Sequence, residues 1–203
     1  MKYINMYKGK KMKPTKSEEA FNFKFKSRFD ISKVLDIVNS FDKEWLIDTT
    51  RQNNKYPDRR NPHTFTHSYM INSCSIEWNY GEPFVTYEAH NNQNLWSAVQ
   101  DMIKYLEDDC NGIVARVLLI KLSQESNIDP HSDSGDYLSL VRRHHIPIIT
   151  NDTVYFSVGD ERMHMRAGEC WEINNNKTHS VENRGGDRVH LLIDIMPNWV
   201  LNG

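Results

Sequence analysis

The sequence predicts a mainly-β domain, a sandwich or barrel, with helices flanking it. Three observations lead there. From Gly112 onward, short runs of β-branched and apolar residues are separated by turn residues, the texture of an all-β fold. Before Gly112, two stretches repeat apolar residues at three and four, the period of an amphipathic helix. The 203 residues, 38% of them hydrophobic, support one sizeable core with an elaborated flank rather than two full domains.

Taken in order, residues 1–18 carry Lys2, Lys8, Lys10, Lys11, Lys13 and Lys16 with little apolar periodicity, which reads as a flexible basic tail. Residues 19–111 read as a helical or mixed flank that packs on the core. In it, Ile31, Val34, Leu35 and Val38 follow Asp30, an acceptor placed to cap a short helix. Arg51 to His67, rich in Asn, Pro, Asp and Arg, reads as loop. Leu95, Trp96, Val99, Met102, Ile103 and Leu106 predict a second helix, ending at Glu107-Asp108-Asp109 and Gly112. The core spans residues 112–203. Ile113 to Leu122 is apolar on both faces apart from Arg116 and Lys121, as in a strand covered on both sides. Leu138 to Thr150 and Val154 to Val158 are further strands, and Gly159-Asp160-Glu161-Arg162 closes a hairpin onto Met163 to Met165. Trp171 to Ile173, a turn at Asn174-Asn175-Asn176 and a strand from Arg188 to Met196 complete the set.

A net charge of −2, with 25 basic against 27 acidic residues, gives no electrostatic footprint for nucleic acid. The longest apolar run falls short of a membrane span, and the amino terminus lacks an apolar stretch followed by a cleavage site, so an intracellular chain with no membrane partner is expected. Cys74, Cys110 and Cys170 are odd in number and widely spaced, which points to reduced thiols rather than a disulfide frame or a thiolate metal site. Nine histidines in such a chain draw attention to where each one falls.

Asp129-Pro130-His131-Ser132-Asp133 sets an imidazole and a carboxylate two residues apart, and in an extended chain those positions project from one face. A polar turn is the bland home for such a pair. A third ligand would complete a two-histidine, one-carboxylate triad, which occupies one face of an octahedron and leaves positions for a chelating co-substrate and dioxygen. His179, in His179-Ser-Val-Glu-Asn183, lies beyond the intervening strands and can fold back onto the pair. Nine residues later Arg188 opens a strand on which Val189, Leu191, Ile193 and Ile195 share one face, with Arg188 and His190 on the other. A guanidinium inside a barrel needs an anion, either a carboxylate ligand or a salt bridge to Glu172 or Asp194. On Val141 to Pro147, one of the pairs Arg143 with His145 or Arg142 with His144 faces the pocket. The first is preferred because it leaves Ile146 and Ile148 to pack against apolar neighbours.

These segments resemble the aspartyl/asparaginyl β-hydroxylase-like branch of the Fe(II)/2-oxoglutarate oxygenases, a branch that includes free-proline hydroxylases. The resemblance spans residues 112–198. It rests on Arg116 to Leu122, Ile128-Asp-Pro-His131-Ser-Asp133, Arg143-His-His145-Ile-Pro147, Met165-Arg-Ala-Gly168-Glu-Cys-Trp171, His179 to Asn183 and Arg188-Val-His190-Leu-Leu-Ile-Asp194. It implies a double-stranded β-helix, that is, a cupin-like jelly roll, with Fe(II) on His131, Asp133 and His179 as the catalytic centre. It also implies 2-oxoglutarate and O2 as co-substrates, Arg188 on the distal carboxylate with His145 and Ser123 as helpers, and Arg143 on a substrate or co-substrate carboxylate. The implied reaction hydroxylates an amino acid, or an Asp, Asn or Pro residue of a peptide or protein, and releases succinate and CO2. Asp133 stands where eukaryotic aspartyl hydroxylases lack an acidic ligand, which makes the chain more similar to bacterial and viral members. The alternative is a non-catalytic cupin-fold module that binds metal or ligand and has no need of Arg188.

Overall fold

The computed structural model describes residues 2–4, 20–48, 52, 61–88 and 92–202. The alternation along the second half becomes strands with one side toward helices and the other toward a second sheet. The strands are β1 (Lys2–Ile4), β2 (Phe23–Arg28), β3 (Thr66–Cys74), β4 (Phe84–Glu88), β5 (Gly112–Leu122), β6 (Asn127–His131), β7 (Arg142–Ile149), β8 (Val154–Val158), β9 (Glu161–Met163), β10 (Glu169–Ile173), β11 (His179–Asn183) and β12 (Arg188–Pro197). Among the described residues they form an eight-stranded sheet, β1-β4-β3-β5-β12-β7-β10-β2, and a four-stranded sheet, β6-β11-β8-β9. Every pairing between strands is antiparallel. Among the described residues the helices are α1 (Ser32–Asn39), α2 (Gln93–Cys110), α3 (Asp136–Leu140) and α4 (Asn198–Leu201), with a 3₁₀ turn at Lys43–Leu46. This is the jelly roll with flanking helices that the sequence predicts.

Residue parity decides what lies on each side of the large sheet. Val117 and Leu119 of β5, Ile146 and Ile148 of β7, and Val189, Leu191, Ile193 and Ile195 of β12 pack against Val34 and Val38 of α1 and Leu95, Val99, Met102, Ile103 and Leu106 of α2. That layer is the main core, and its burial of branched apolar side chains is the principal force holding helices to sheet. Between the two sheets, Leu122, Ile128, Val154, Phe156, Val158, Ile173 and Val181 form a second core. Residues of the opposite parity on β7 and β12 are thereby aimed at the small sheet, and several of them are charged.

The elements differ from the sequence reading at definite points. Lys2–Ile4 pairs with Phe84–Thr86 at the sheet edge, while the rest of the expected basic tail lies outside the described residues. The flank supplies β2, β3 and β4 to the large sheet, three strands the hydropathy pattern did not reveal. Part of the expected 51–67 loop likewise lies outside the described residues, and β3 begins at Thr66. The predicted strand from Leu138 starts as α3, and the strand proper begins at Arg142. In the hairpin after β8, Gly159 and Asp160 make the turn and Glu161 already belongs to β9. Helix α2 is capped at its start by the Asn92 side chain, which accepts from the Leu95 N–H at 2.9 Å. It ends on Asn111 in the left-handed region (φ 44°) rather than on Gly112. Gly112 instead opens β5, where a Cβ would sit 2.5 Å from the Met196 carbonyl oxygen. Asp30 accepts from the Ser32 N–H at 2.9 Å, one residue outside the capping position of α1. All three cysteines are free, and burial pushes the Cys74 thiol up to about 11 and the Cys110 thiol up to about 12.

Candidate metal centre

The register of β6 against β11 sets His131 directly opposite His179, and the two rings lie 4.3 Å apart, centroid to centroid. Asp133 follows β6 by two residues. One ligand atom from each of His131, Asp133 and His179 falls within 4.8 Å of the other two, a grouping that can hold a metal ion. Each imidazole is oriented from behind: His131 Nδ1 lies 2.7 Å from the Asp129 carbonyl oxygen and His179 Nδ1 lies 3.0 Å from that of Lys177. A carbonyl can only accept, so Nδ1 carries the proton and Nε2 presents its lone pair to the shared centre. Burial holds the His179 imidazole at about 4 against the pull of Asp133, so near neutral pH it is the uncharged ligand form.

Asp133 is held from three directions. Its N–H donates to the Asn175 carbonyl (3.1 Å), and its Oδ2 accepts from Asn175 Nδ2 (3.1 Å) and from Arg143 Nη1. With Oδ2 so engaged, Oδ1 is the oxygen offered to a metal. Burial would raise this carboxyl, but Arg143, His179 and His131 hold it below its ordinary value. Arg143 is itself gripped from the sheet: Nε and Nη2 donate to the two oxygens of Asp194 at 2.9 and 3.0 Å, a bidentate pair across β7 and β12. On the far side Asp194 accepts from Arg116 Nε (3.2 Å) of β5 and from the Tyr137 hydroxyl (3.0 Å).

One cavity joins these groups. It is lined by His131, Asp133, Arg143, His145, His179 and Arg188, with His63, Phe156 and four aliphatic side chains filling its walls. Its volume of about 40 Å³ is far below that of a typical ligand pocket. Phe156 is the common neighbour of both ends, stacked 6.3 Å from the His179 ring and 5.9 Å from the Arg188 guanidinium. Arg188 is 1% exposed; Asp194 pairs with Arg143 and Arg116, and Glu172 with Arg142 and Lys26. Arg143 and His145 face the cavity while His144 turns to the helix side, where its Nε2 lies 3.6 Å from Cys110 Sγ. Burial, then Arg188 and Arg143, hold His145 well below its ordinary value, so it is a neutral ring whose Nδ1 has no hydrogen-bond partner among the described residues.

Ser123 is not brought to this cavity. Ile120 and Leu122 hold the inward parity at the end of β5, so Ser123 falls on the other side. There its N–H donates to Phe65, its carbonyl accepts from Asn183 and Ser126, and it lines a separate surface groove. Sequence reasoning in turn missed two groups. Asn175 sits in what reads as a plain Asn-rich turn, yet it is fully buried against Asp133. His63, on the segment before β3, stands edge-on to His131 at 4.8 Å; neither residue has a spacing signal that could have marked it.

The comparisons with known proteins agree with the architecture. A viral collagen prolyl hydroxylase from Paramecium bursaria Chlorella virus-1, solved with 2-oxoglutarate, is similar in fold with a TM-score of 0.55 at 8% identity, covering 87% of this chain and 96% of that one. An oxidoreductase of the 2OG-Fe(II) oxygenase family from Burkholderia pseudomallei aligns with a TM-score of 0.49 at 13% identity, over 64% of this chain and 67% of that one. No curated protein matches the chain. Among the described residues, no helix is long and apolar enough to cross a membrane. The model of one family, aspartyl/asparaginyl β-hydroxylase, matches residues 50–197, a span that takes in the flank from residue 50 as well as the region of the motifs. The chain belongs to the aspartyl/asparaginyl β-hydroxylase family.

Proposed function

We propose that the chain is an Fe(II)- and 2-oxoglutarate-dependent dioxygenase that hydroxylates an amino acid, or an Asp, Asn or Pro residue of a peptide or protein, releasing succinate and CO2. The observation that carries this reading is the convergence of two imidazoles, one carboxylate and a buried arginine on a single cavity. Two histidines and one carboxylate suit Fe(II) with open coordination positions, whereas a closed structural zinc site would bring four ligands. When bound, iron with 2-oxoglutarate and O2 supplies the oxidation.

The chain's own residues supply the rest. His131 and His179 present Nε2, each locked in its tautomer by a backbone carbonyl. Asn175 and Arg143 fix the rotation of Asp133. Arg188 receives the distal carboxylate of 2-oxoglutarate through its fork, and His145 offers Nδ1 beside it. Phe156, Ile120, Ile128, Val181 and Leu192 keep water from the reacting centre. Arg143 shares the cavity, so a substrate or co-substrate carboxylate that approached it would meet its Nη1 edge beside Asp133.

Anaerobic addition of Fe(II) and 2-oxoglutarate should produce a visible metal-to-ligand charge-transfer band. Replacing His131 or Asp133 with Ala should abolish or sharply weaken it. A wild-type protein without the band overturns the reading. With the band in hand, succinate release across free amino acids and Asp-, Asn- or Pro-containing peptides identifies the substrate.

A further inference from the structure

We infer that His190 is a positioning residue for Arg188: its imidazole accepts a hydrogen bond from the guanidinium and so sets the fork at the angle that receives the co-substrate carboxylate. The inference rests on the function proposed above and concerns a residue that does not itself line the cavity.

The geometry is as follows. Arg188 and His190 are alternate residues of β12 and project from the same side, and Arg188 Nη2 lies 2.7 Å from His190 Nδ1. A guanidinium has only donors, so Nδ1 must be the acceptor and the ring proton must sit on Nε2. Nε2 is buried with no hydrogen-bond partner among the described residues, and His190 as a whole is 1% exposed. Its cross-strand neighbours are Ile120 on β5 and Pro147 on β7, with the His145 ring 5.8 Å away. An aliphatic residue would suit such surroundings better, because burying an unsatisfied N–H is costly. Among the described residues, the polar contact that makes use of the ring is the bond from Arg188. Burial first, and then the charge of Arg188, hold the imidazole well below its ordinary value, which keeps it in the neutral form that can accept. A lone arginine side chain has many rotamers, and a fixed acceptor on one nitrogen reduces the freedom lost when a carboxylate docks.

The test compares His190→Leu, which deletes the acceptor, with His190→Asn, whose side-chain oxygen can occupy the place of Nδ1. In the full chain loaded with Fe(II), His190→Leu should raise the apparent KM for 2-oxoglutarate by about tenfold or more, with kcat and iron affinity little changed. His190→Asn should recover most of that loss. The inference is overturned if His190→Leu leaves the KM within about twofold of wild type, if Asn is no better than Leu, or if KM, kcat and iron affinity all decline together as a general loss of structure would cause. Failure of the underlying reading is distinct, since it is seen in the wild type alone as the absence of both the charge-transfer band and succinate, and it overturns this inference with it.

Discussion

Asp194→Asn should unfold at a clearly lower urea concentration than wild type, with a loss of about 3–5 kcal/mol and an unchanged denaturant slope. Asp194 is fully buried and answers the charges of two arginines at once, Arg143 through a bidentate pair and Arg116 at 3.1 Å. An amide keeps the shape but removes the charge, and its NH2 group faces guanidinium donors. The penalty is that of breaking the bidentate pair on a buried Arg143, which keeps only Asp133. Arg28→Ala removes a pair of similar length, 2.7 Å to Glu169, but from a side chain 59% exposed, and should cost less than about 1 kcal/mol. Comparable losses in the two variants would show that the Asp194 network is not what anchors the sheet at the site.

The same carboxylate gives the protein a signature in acid. Burial alone would raise the Asp194 carboxyl, but Arg143 and Arg116 hold it far below the carboxylate range. A group whose folded pKa is depressed stabilises the fold above its unfolded value, 3.8 for Asp, and loses that contribution as the pH falls toward the folded one. Wild type should therefore lose stability steadily below about pH 4, whereas Asp194→Asn should lose less over that window and the gap between the two should narrow. A constant gap down to low pH would contradict the assignment.

What could be read from the sequence, and what could not, divides along physical lines. Strand β5 announced itself because both faces are apolar, β7, β8 and β12 by their runs of apolar and β-branched residues, and parity on β7 and β12 sent Arg143, His145 and Arg188 inward. Strand β3 did not, because Thr66, Ser68, Asn72 and Ser73 are polar residues buried in the sheet, so its hydropathy does not alternate. Strand β2, Phe-Lys-Phe-Lys-Ser-Arg, lies at an edge with neither face fully covered. The grouping of His131, Asp133 and His179 was legible in part: the two-residue spacing of His131 and Asp133 is local, whereas His179 joins them through the pairing of β11 with β6. The support behind it was not: Asp133, Arg143 and Asp194 come from three separate segments, and only the pairing of β7 with β12 makes them neighbours. Spacing in the chain carries no trace of that.

Arg188→Ala should raise the 2-oxoglutarate requirement by roughly 30-fold to several thousand-fold, the span that follows from about 2–5 kcal/mol for truncating one member of a buried, hydrogen-bonded charge pair. Succinate formation against 2-oxoglutarate concentration reads this directly. Iron affinity, measured separately, should change little, because Arg188 is not in the group of His131, Asp133 and His179 and shares with it Phe156 and the cavity. Arg188→Lys divides charge from shape. Lysine restores a cation on a flexible stem without the planar fork, so it should recover part of the affinity and not all of it. It also offers a rotatable ammonium to His190 where arginine offers a fixed Nη2–H, so the Lys variant should depend less on His190 than wild type does. If alanine costs iron and 2-oxoglutarate affinity equally, Arg188 is a structural residue of the second core, and the anion-binding role falls with it.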